Sequence, residues 1–260
     1  MDIATLVGLF MGFGAVIGGQ ILEGGHISAL LQPTAAVIVF GGTLGATFVS
    51  FPFEDLRRAF YSAATAFSHQ MEDPEEMIGK LVGFANIARK NGLITLEQDS
   101  QVVEDRFLGH GLEMVVDGMD PEEVMEVLQI EITNFEDLHK VSAEVFEAAG
   151  GFAPTIGIIG AILGLIHVMS NLSDTSSLGA GIAVAFVATI YGLVIANIVC
   201  IPIGTKLKKR LKAQILQREI VIEGLLAIQR GDNPRLIEKR LRSFTQTSGV
   251  MLYSRGWGGL

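Results

Sequence analysis

The sequence offers little to covalent chemistry. Cys200 is the only cysteine among 260 residues, which excludes an intrachain disulfide and any thiolate metal cluster built from this chain alone. It lies in an apolar run, where it reads as a small buried hydrophobe, because burial without a cationic neighbour disfavours the reactive thiolate. The five histidines, His26, His69, His110, His139 and His167, include no pair at metal-ligand spacing. Glycine strings at Gly41-Gly42-Thr43 and Gly157 to Gly164 lack the Lys-Ser/Thr that completes a phosphate loop. An enzyme is therefore not expected, and no metal or organic cofactor is implied.

Charge is missing from four stretches: Ile3 to Leu22, Leu30 to Phe51, Phe152 to Asn171 and Leu178 to Ile203 contain no Asp, Glu, Lys or Arg. A helix rising about 1.5 Å per residue needs roughly 20 apolar residues to cross about 30 Å of hydrocarbon, so each stretch is long enough to span a bilayer. A cleavable signal peptide competes for the first. That segment lacks a basic leader, and its apolar part exceeds the usual length. Pro33 stands near the start of the second, where its missing N–H costs nothing. The spacer Leu172 to Ser177 is just long enough for a loop between the last two.

The formal charge of −9 conceals a division. From Pro52 to Ala148 there are 7 Lys/Arg against 21 Asp/Glu, a balance of −14, and from Thr205 to Leu260 there are 12 against 4, a balance of +8. Nucleic acid is a poor partner for so acidic a middle segment. Arg57 and Arg58 follow the second stretch, and Lys206, Lys208, Lys209, Arg210 and Lys212 follow the fourth, while the two short connecting loops have no Lys or Arg. The positive-inside rule then places the middle segment, the tail and both termini in the cytoplasm.

The expected fold is an all-α integral membrane protein. Its four transmembrane helices form two hairpins, with a helical cytoplasmic domain between spans two and three and a helical C-terminal tail. The corresponding segments are 1–51, 52–149, 150–204 and 205–260. No internal repeat or low-complexity tract is evident.

In the middle segment, Asp73 as N-cap and Pro74 at N1 predict a helix to Lys90 with Met77, Leu81, Phe84 and Ala88 on one face, closed by Asn91-Gly92. A short helix is expected near Leu96 to Phe107, and a turn at Asp117-Gly118. Asp120-Pro121-Glu122 then opens a long helix carrying Val124, Leu128, Ile132, Phe135 and Val145 in register. Gly150-Gly151 interrupts that register before Pro154, so a flexible or bent junction with span three is expected. The tail predicts helices near Lys206 to Ile228 and Arg235 to Phe244, the latter after the turn Gly231-Asp232-Asn233-Pro234. Beyond it a Gly- and Ser-containing end includes Trp257 and reads as frayed.

Within the spans, Gly181, Ala185, Thr189, Gly192 and Ala196 recur at helical steps, as do Gly157, Gly160, Ala161 and Gly164. Such small-residue faces let helices approach closely in lipid. Two readings stay open for Thr189: its hydroxyl bonds the carbonyl one turn back, or it lines an ion route. Because the spans hold no acid, an ion route requires a titrating carboxylate from another chain. His167 is either a titrating site or a neutral ring near the membrane boundary. Pro154 and Pro202 are either punctuation or a hinge, with Pro202 placed where it should break or kink its helix.

One family unites these features. Ala153-Pro154-Thr155-Ile156-Gly157-Ile158-Ile159-Gly160-Ala161, Leu163-Gly164-Leu165, Ala185-Phe186-Val187-Ala188-Thr189-Ile190-Tyr191-Gly192 and Pro202 resemble the MotA/PomA stator proteins of the bacterial flagellum. Ala88 to Glu97, Gly111 to Gly118 and Glu223 to Gln229 support the resemblance. ExbB/TolQ relatives, energisers of outer-membrane processes, share the last two spans but typically have one span before their large cytoplasmic segment.

The resemblance implies an inner-membrane pentamer around two copies of a MotB-type partner, whose membrane aspartate carries the ion. Pro154 and Pro202 would transmit conformational change, and Thr189 with Ala161 would line the ion route. Arg89 and Glu97, assisted by Lys90 and Asp99, would face the rotor protein FliG. The bland alternative for those charges is a solvated helix surface. Ala161 stands where sodium-driven relatives usually show threonine, and Ala188 replaces a threonine often seen beside Thr189. The expected coupling ion is the proton and not sodium. A membrane-embedded enzyme or carrier is a further rival, and it would need polar residues converging within the spans.

Overall fold

In a computed structural model of the chain, residues 3–68, 73–170 and 175–247 are described, and every regular element among them is helical. The expected loop at Leu172 to Ser177 lies partly outside the described residues; of the end expected to fray after Phe244, residues 245–247 are instead the last of a helix and the rest lies outside them. The chain divides into two compact units: residues 1–70 with 139–209, and residues 71–138 with 210–260.

The first unit holds the apolar helices. Helix α1 (Ile3–Leu22) is followed by a 3-10 turn, Ile27–Leu30. The second span is built from α2 (Pro33–Ala36), a π turn (Val37–Gly41) and α3 (Gly42–Ser50). Helix α4 (Phe53–Ser68) follows directly; Leu56, Ala59 and Ala63 make its buried stripe, and Leu56 and Ala59 cluster with Val145. Four helices are long and apolar enough to cross a membrane.

The second unit begins with α5 (Pro74–Asn91), capped by the Asp73 carboxylate accepting from the Glu75 N–H at 3.0 Å. Met77 and Leu81 are buried as expected, and Gly92 closes the helix at φ 91°. The region expected as one helix from Leu96 to Phe107 is instead divided. A 3-10 turn (Leu93–Leu96) leads into α6 (Glu97–Val102), and a separate α7 (Arg106–Val116) begins after a break. Asp105 causes the division: its carboxylate accepts from the N–H groups of Phe107 and Leu108, which caps a new helix rather than continuing the old one.

Helix α8 (Pro121–Ser170) corrects a second expectation. Gly150, Gly151 and Pro154 lie inside it, with no boundary at the glycine pair. Each glycine costs a helix about 1 kcal/mol relative to alanine, yet Gly150 is buried where a Cβ would stand 2.9 Å from the Ile201 side chain. Close packing overrides propensity here.

Helix α9 (Thr175–Val194) continues through a π turn (Ile195–Cys200) into α10 (Ile201–Gln229). Pro202 does not end the helix. The π register closes with the Ile201 N–H on the Ala196 carbonyl, one residue before the proline, so Pro202 falls where the bonding pattern is already shifting. Helix α11 (Pro234–Thr247) completes the second unit. Its core joins Ile78, Leu81, Leu108, Leu128, Leu225 and Leu241, drawing the middle segment and tail together.

Candidate functional site

The pair α8 and α9 meets backbone to backbone. A Cβ at Gly192 would lie 2.5 Å from the Ala153 carbonyl oxygen and 3.2 Å from the Pro154 Cα. One at Gly157 would lie 2.9 Å from the Ala188 carbonyl oxygen, and one at Gly164 would lie 2.9 Å from both the Ala185 nitrogen and the Gly181 carbonyl oxygen. No larger residue fits at these positions without parting the helices. The small-residue faces are therefore a close-packed seam about three helical turns long, the form of contact that holds helices together where no hydrophobic effect can.

Around this seam the expected ion-route residues fall together. Thr189 is half-buried, one turn from Gly192, with its Cα facing Gly157; its hydroxyl donates to the Ala185 carbonyl at 3.3 Å. Ala161 is half-buried on α8. Ala188 is fully buried against Gly160 and clusters with Ala35, Val39 and Val187, so it faces span two as well as α8. Pro154 is half-buried beside Gly192, whereas Pro202 is exposed and lines a groove against α1. His167 is exposed near the end of α8.

Two polar side chains in the spans had no role in the sequence reading. The Tyr191 hydroxyl donates to the Leu30 carbonyl and accepts from the Gln32 N–H at 3.3 Å, satisfying non-helical backbone between the 3-10 turn and α2. A tyrosine inside an apolar run was the available signal, since a buried phenol needs a partner. Thr43 is buried with no hydrogen-bond partner for its Oγ1 among the described residues.

The charged candidates lie in the second unit. Arg89 and Lys90 occupy the last turn of α5, Glu97 opens α6 and Asp99 follows it. Arg89, Lys90 and Glu97 are exposed, Asp99 is half-buried, and none of the four forms an ion pair among the described residues. Elsewhere in this unit, Arg218 lies 3.6 Å from the Phe135 ring centre and 5.0 Å from that of Phe107. Burial lowers its pKa from the ordinary arginine value, and the charges of Asp105 and Glu131 oppose that shift. His110 and Glu131 approach to 3.2 Å nearby.

Four helices long and apolar enough to cross a membrane, a close-packed seam of small residues between two of them, and a charged helical unit define a multi-pass membrane protein. A sequence model described as the MotA/TolQ/ExbB proton channel family matches residues 99–220, and one described as Motility protein A N-terminal matches residues 6–92. Motility protein A of Bacillus subtilis is 36% identical, over 93% of this chain and 90% of its own length. Chemotaxis protein PomA of Vibrio alginolyticus is also 36% identical, over 94% and 95%. A solved structure of C. jejuni MotAB aligns with TM-score 0.89 at 31% identity, covering 94% of this chain and 96% of that one. The flagellar MotAB stator complex from Bacillus subtilis aligns with TM-score 0.87 at 33% identity. The chain belongs to the MotA family and is a MotA-type stator subunit of the bacterial flagellar motor. The ExbB/TolQ alternative is not better supported.

Proposed function

We propose that this subunit surrounds a MotB-type partner whose membrane aspartate it serves, that protons are the coupling ion, and that the Arg89–Asp99 region pushes the rotor protein FliG. The observation that carries this reading is the seam itself. It places Thr189, Pro154 and Ala161 on or beside one closely packed helix pair within spans that contain no acid. A carboxylate supplied from outside the chain completes such a route. The relatives solved as MotAB complexes support this arrangement, and the family resemblance gives a 5:2 ratio of the two chains.

Protonation and deprotonation of the partner aspartate would bias the ring of subunits to step around the central pair. Ala161 and Ala188 support proton coupling because neither carries the hydroxyl that would help replace part of a sodium hydration shell. A proton needs only water and the partner acid. Exposed charges at Arg89, Lys90 and Glu97, without ion-pair partners among the described residues, suit a contact that must form and release at each step, because screened surface charges steer without holding.

The two hairpins would run with both termini in the cytoplasm, since the basic residues gather at Arg57, Arg58 and Lys206 to Lys212. Swimming speed measured as external sodium is lowered at constant proton gradient tests the ion. Unchanged speed is the expected result, and arrest at low sodium would overturn proton coupling. Labelling of single cysteines introduced at Ser28 and Ser243 in a Cys200→Ser background with a membrane-impermeant reagent tests the orientation, with reaction expected only at Ser28 in intact cells whose outer membrane is opened.

A further inference from the structure

Tyr191 follows Thr189 by two residues and precedes Gly192 by one, and its half-buried side chain reaches span two. The phenol donates to the Leu30 carbonyl and accepts from the Gln32 N–H at 3.3 Å, while its ring centre lies 5.9 Å from that of Phe40. Span two is also packed on both helices of the seam. Ala35 and Val39 are fully buried in a cluster with Val187 and Ala188 of α9. On the α8 side, a Cβ at Gly160 would lie 3.3 Å from the Ile38 side chain, and one at Gly42 would lie 2.8 Å from that of Ile156. Helix α1 is attached separately, near the other end of span four, where the Lys206 ammonium donates to the Thr5 hydroxyl at 2.6 Å.

We infer that Tyr191 is a positioning residue: it fastens span two to the helix that carries Thr189, so that spans two, three and four of one subunit turn as a single block when the motor works against load. The inference rests on the reading of span four as the ion-route helix. Packing alone holds helices weakly in lipid, because acyl chains are as apolar as the faces they would replace, and a polar link between helices adds what packing lacks. A seam pair that slid past a span two held still by lipid would have to break both phenol hydrogen bonds at every step. It would leave the Leu30 carbonyl and the Gln32 N–H unpaired where no water can reach them. The fastener is strained in proportion to the force transmitted, so its loss is felt at high load and not at low load.

The test is made on the full chain with its partner subunit in living cells, by following a bead on a flagellar stub from low load to stall. Tyr191→Phe should still co-purify with the partner at growth temperature and keep its speed at low load, but lose stall torque. In a Cys200→Ser background, Gln32→Cys with Tyr191→Cys should show the same loss, and a short bismaleimide joining the two thiols should restore the torque. A merely structural tyrosine would not give that load dependence or that rescue. Wild-type stall torque in Tyr191→Phe would overturn the inference, as would failure of that variant to co-purify, which would make Tyr191 a residue of assembly. Torque that stays low after cross-linking would also overturn it, and so would arrest, since arrest means that spans two and four must move past each other. Rotation that persists without this chain would instead sink the stator reading on which the inference rests.

Discussion

Gly192 stands so close to Ala153 that a Cβ on the glycine would lie 2.5 Å from the alanine carbonyl oxygen. The contact fixes the separation of α8 and α9 at the level of Pro154. Gly192→Ala must therefore push the two helices apart, and overpacking of this kind costs about 1–3 kcal/mol. The expected result is a lower melting temperature of the purified complex and loss of swimming. Gly179→Ala, whose Cβ meets nothing within 4 Å, is the control and should leave both unchanged.

Tyr191→Phe removes the hydroxyl that serves the Leu30 carbonyl and the Gln32 N–H. Both backbone groups would then be unsatisfied in a low-dielectric setting, where each costs about 1–3 kcal/mol. A fall in thermal stability in detergent is expected, larger than that from Tyr61→Phe at an exposed position on α4.

Much of this architecture was legible in the sequence, and the failures share a physical cause. Uncharged length alone revealed the spans, and Asp73-Pro74 with Asn91-Gly92 marked α5 almost to the residue, because those signals are local. Helix α4 escaped notice although Leu56, Ala59 and Ala63 carry a helical stripe. The sequence did not reveal that α8 runs unbroken through Gly150-Gly151, because there Gly150 packs on Cys200 and Ile201, distant in sequence. In the candidate site, the small-residue steps announced the seam, but nothing local indicated that Thr5 would meet Lys206 or that Phe107 and Phe135 would enclose Arg218.

The Arg218 guanidinium, between those two rings, should contribute about 1–2 kcal/mol to the second unit through cation–π contact and the nearby acids. Arg218→Ala should lower the midpoint of chemical denaturation. Burial lowers the pKa of Arg218, yet an arginine stays protonated throughout the neutral range, so the effect of the substitution should be the same at every pH near neutrality.

Thr189→Ser and Thr189→Val separate the two readings of that hydroxyl. Its 3.3 Å bond to the Ala185 carbonyl is long and weak, so neither variant should change assembly by more than about 0.5 kcal/mol. If Thr189 lines the ion route, valine should slow the motor under load in a tethered-cell assay while serine preserves torque. Equal torque in both would leave the hydroxyl as a helix back-bond.

The central claim is that this chain drives rotation through its exposed charges while its membrane helices carry the ion route. Deletion of the gene, with flagella counted in the same cells and swimming scored in soft agar, tests it most directly. The account predicts paralysed cells with normal flagella, rescued by the intact gene and not by the Arg89→Glu, Glu97→Lys double variant, whose exposed positions should leave its stability unchanged. Normal swimming of the deletion strain, or full rescue by the double variant, would contradict it.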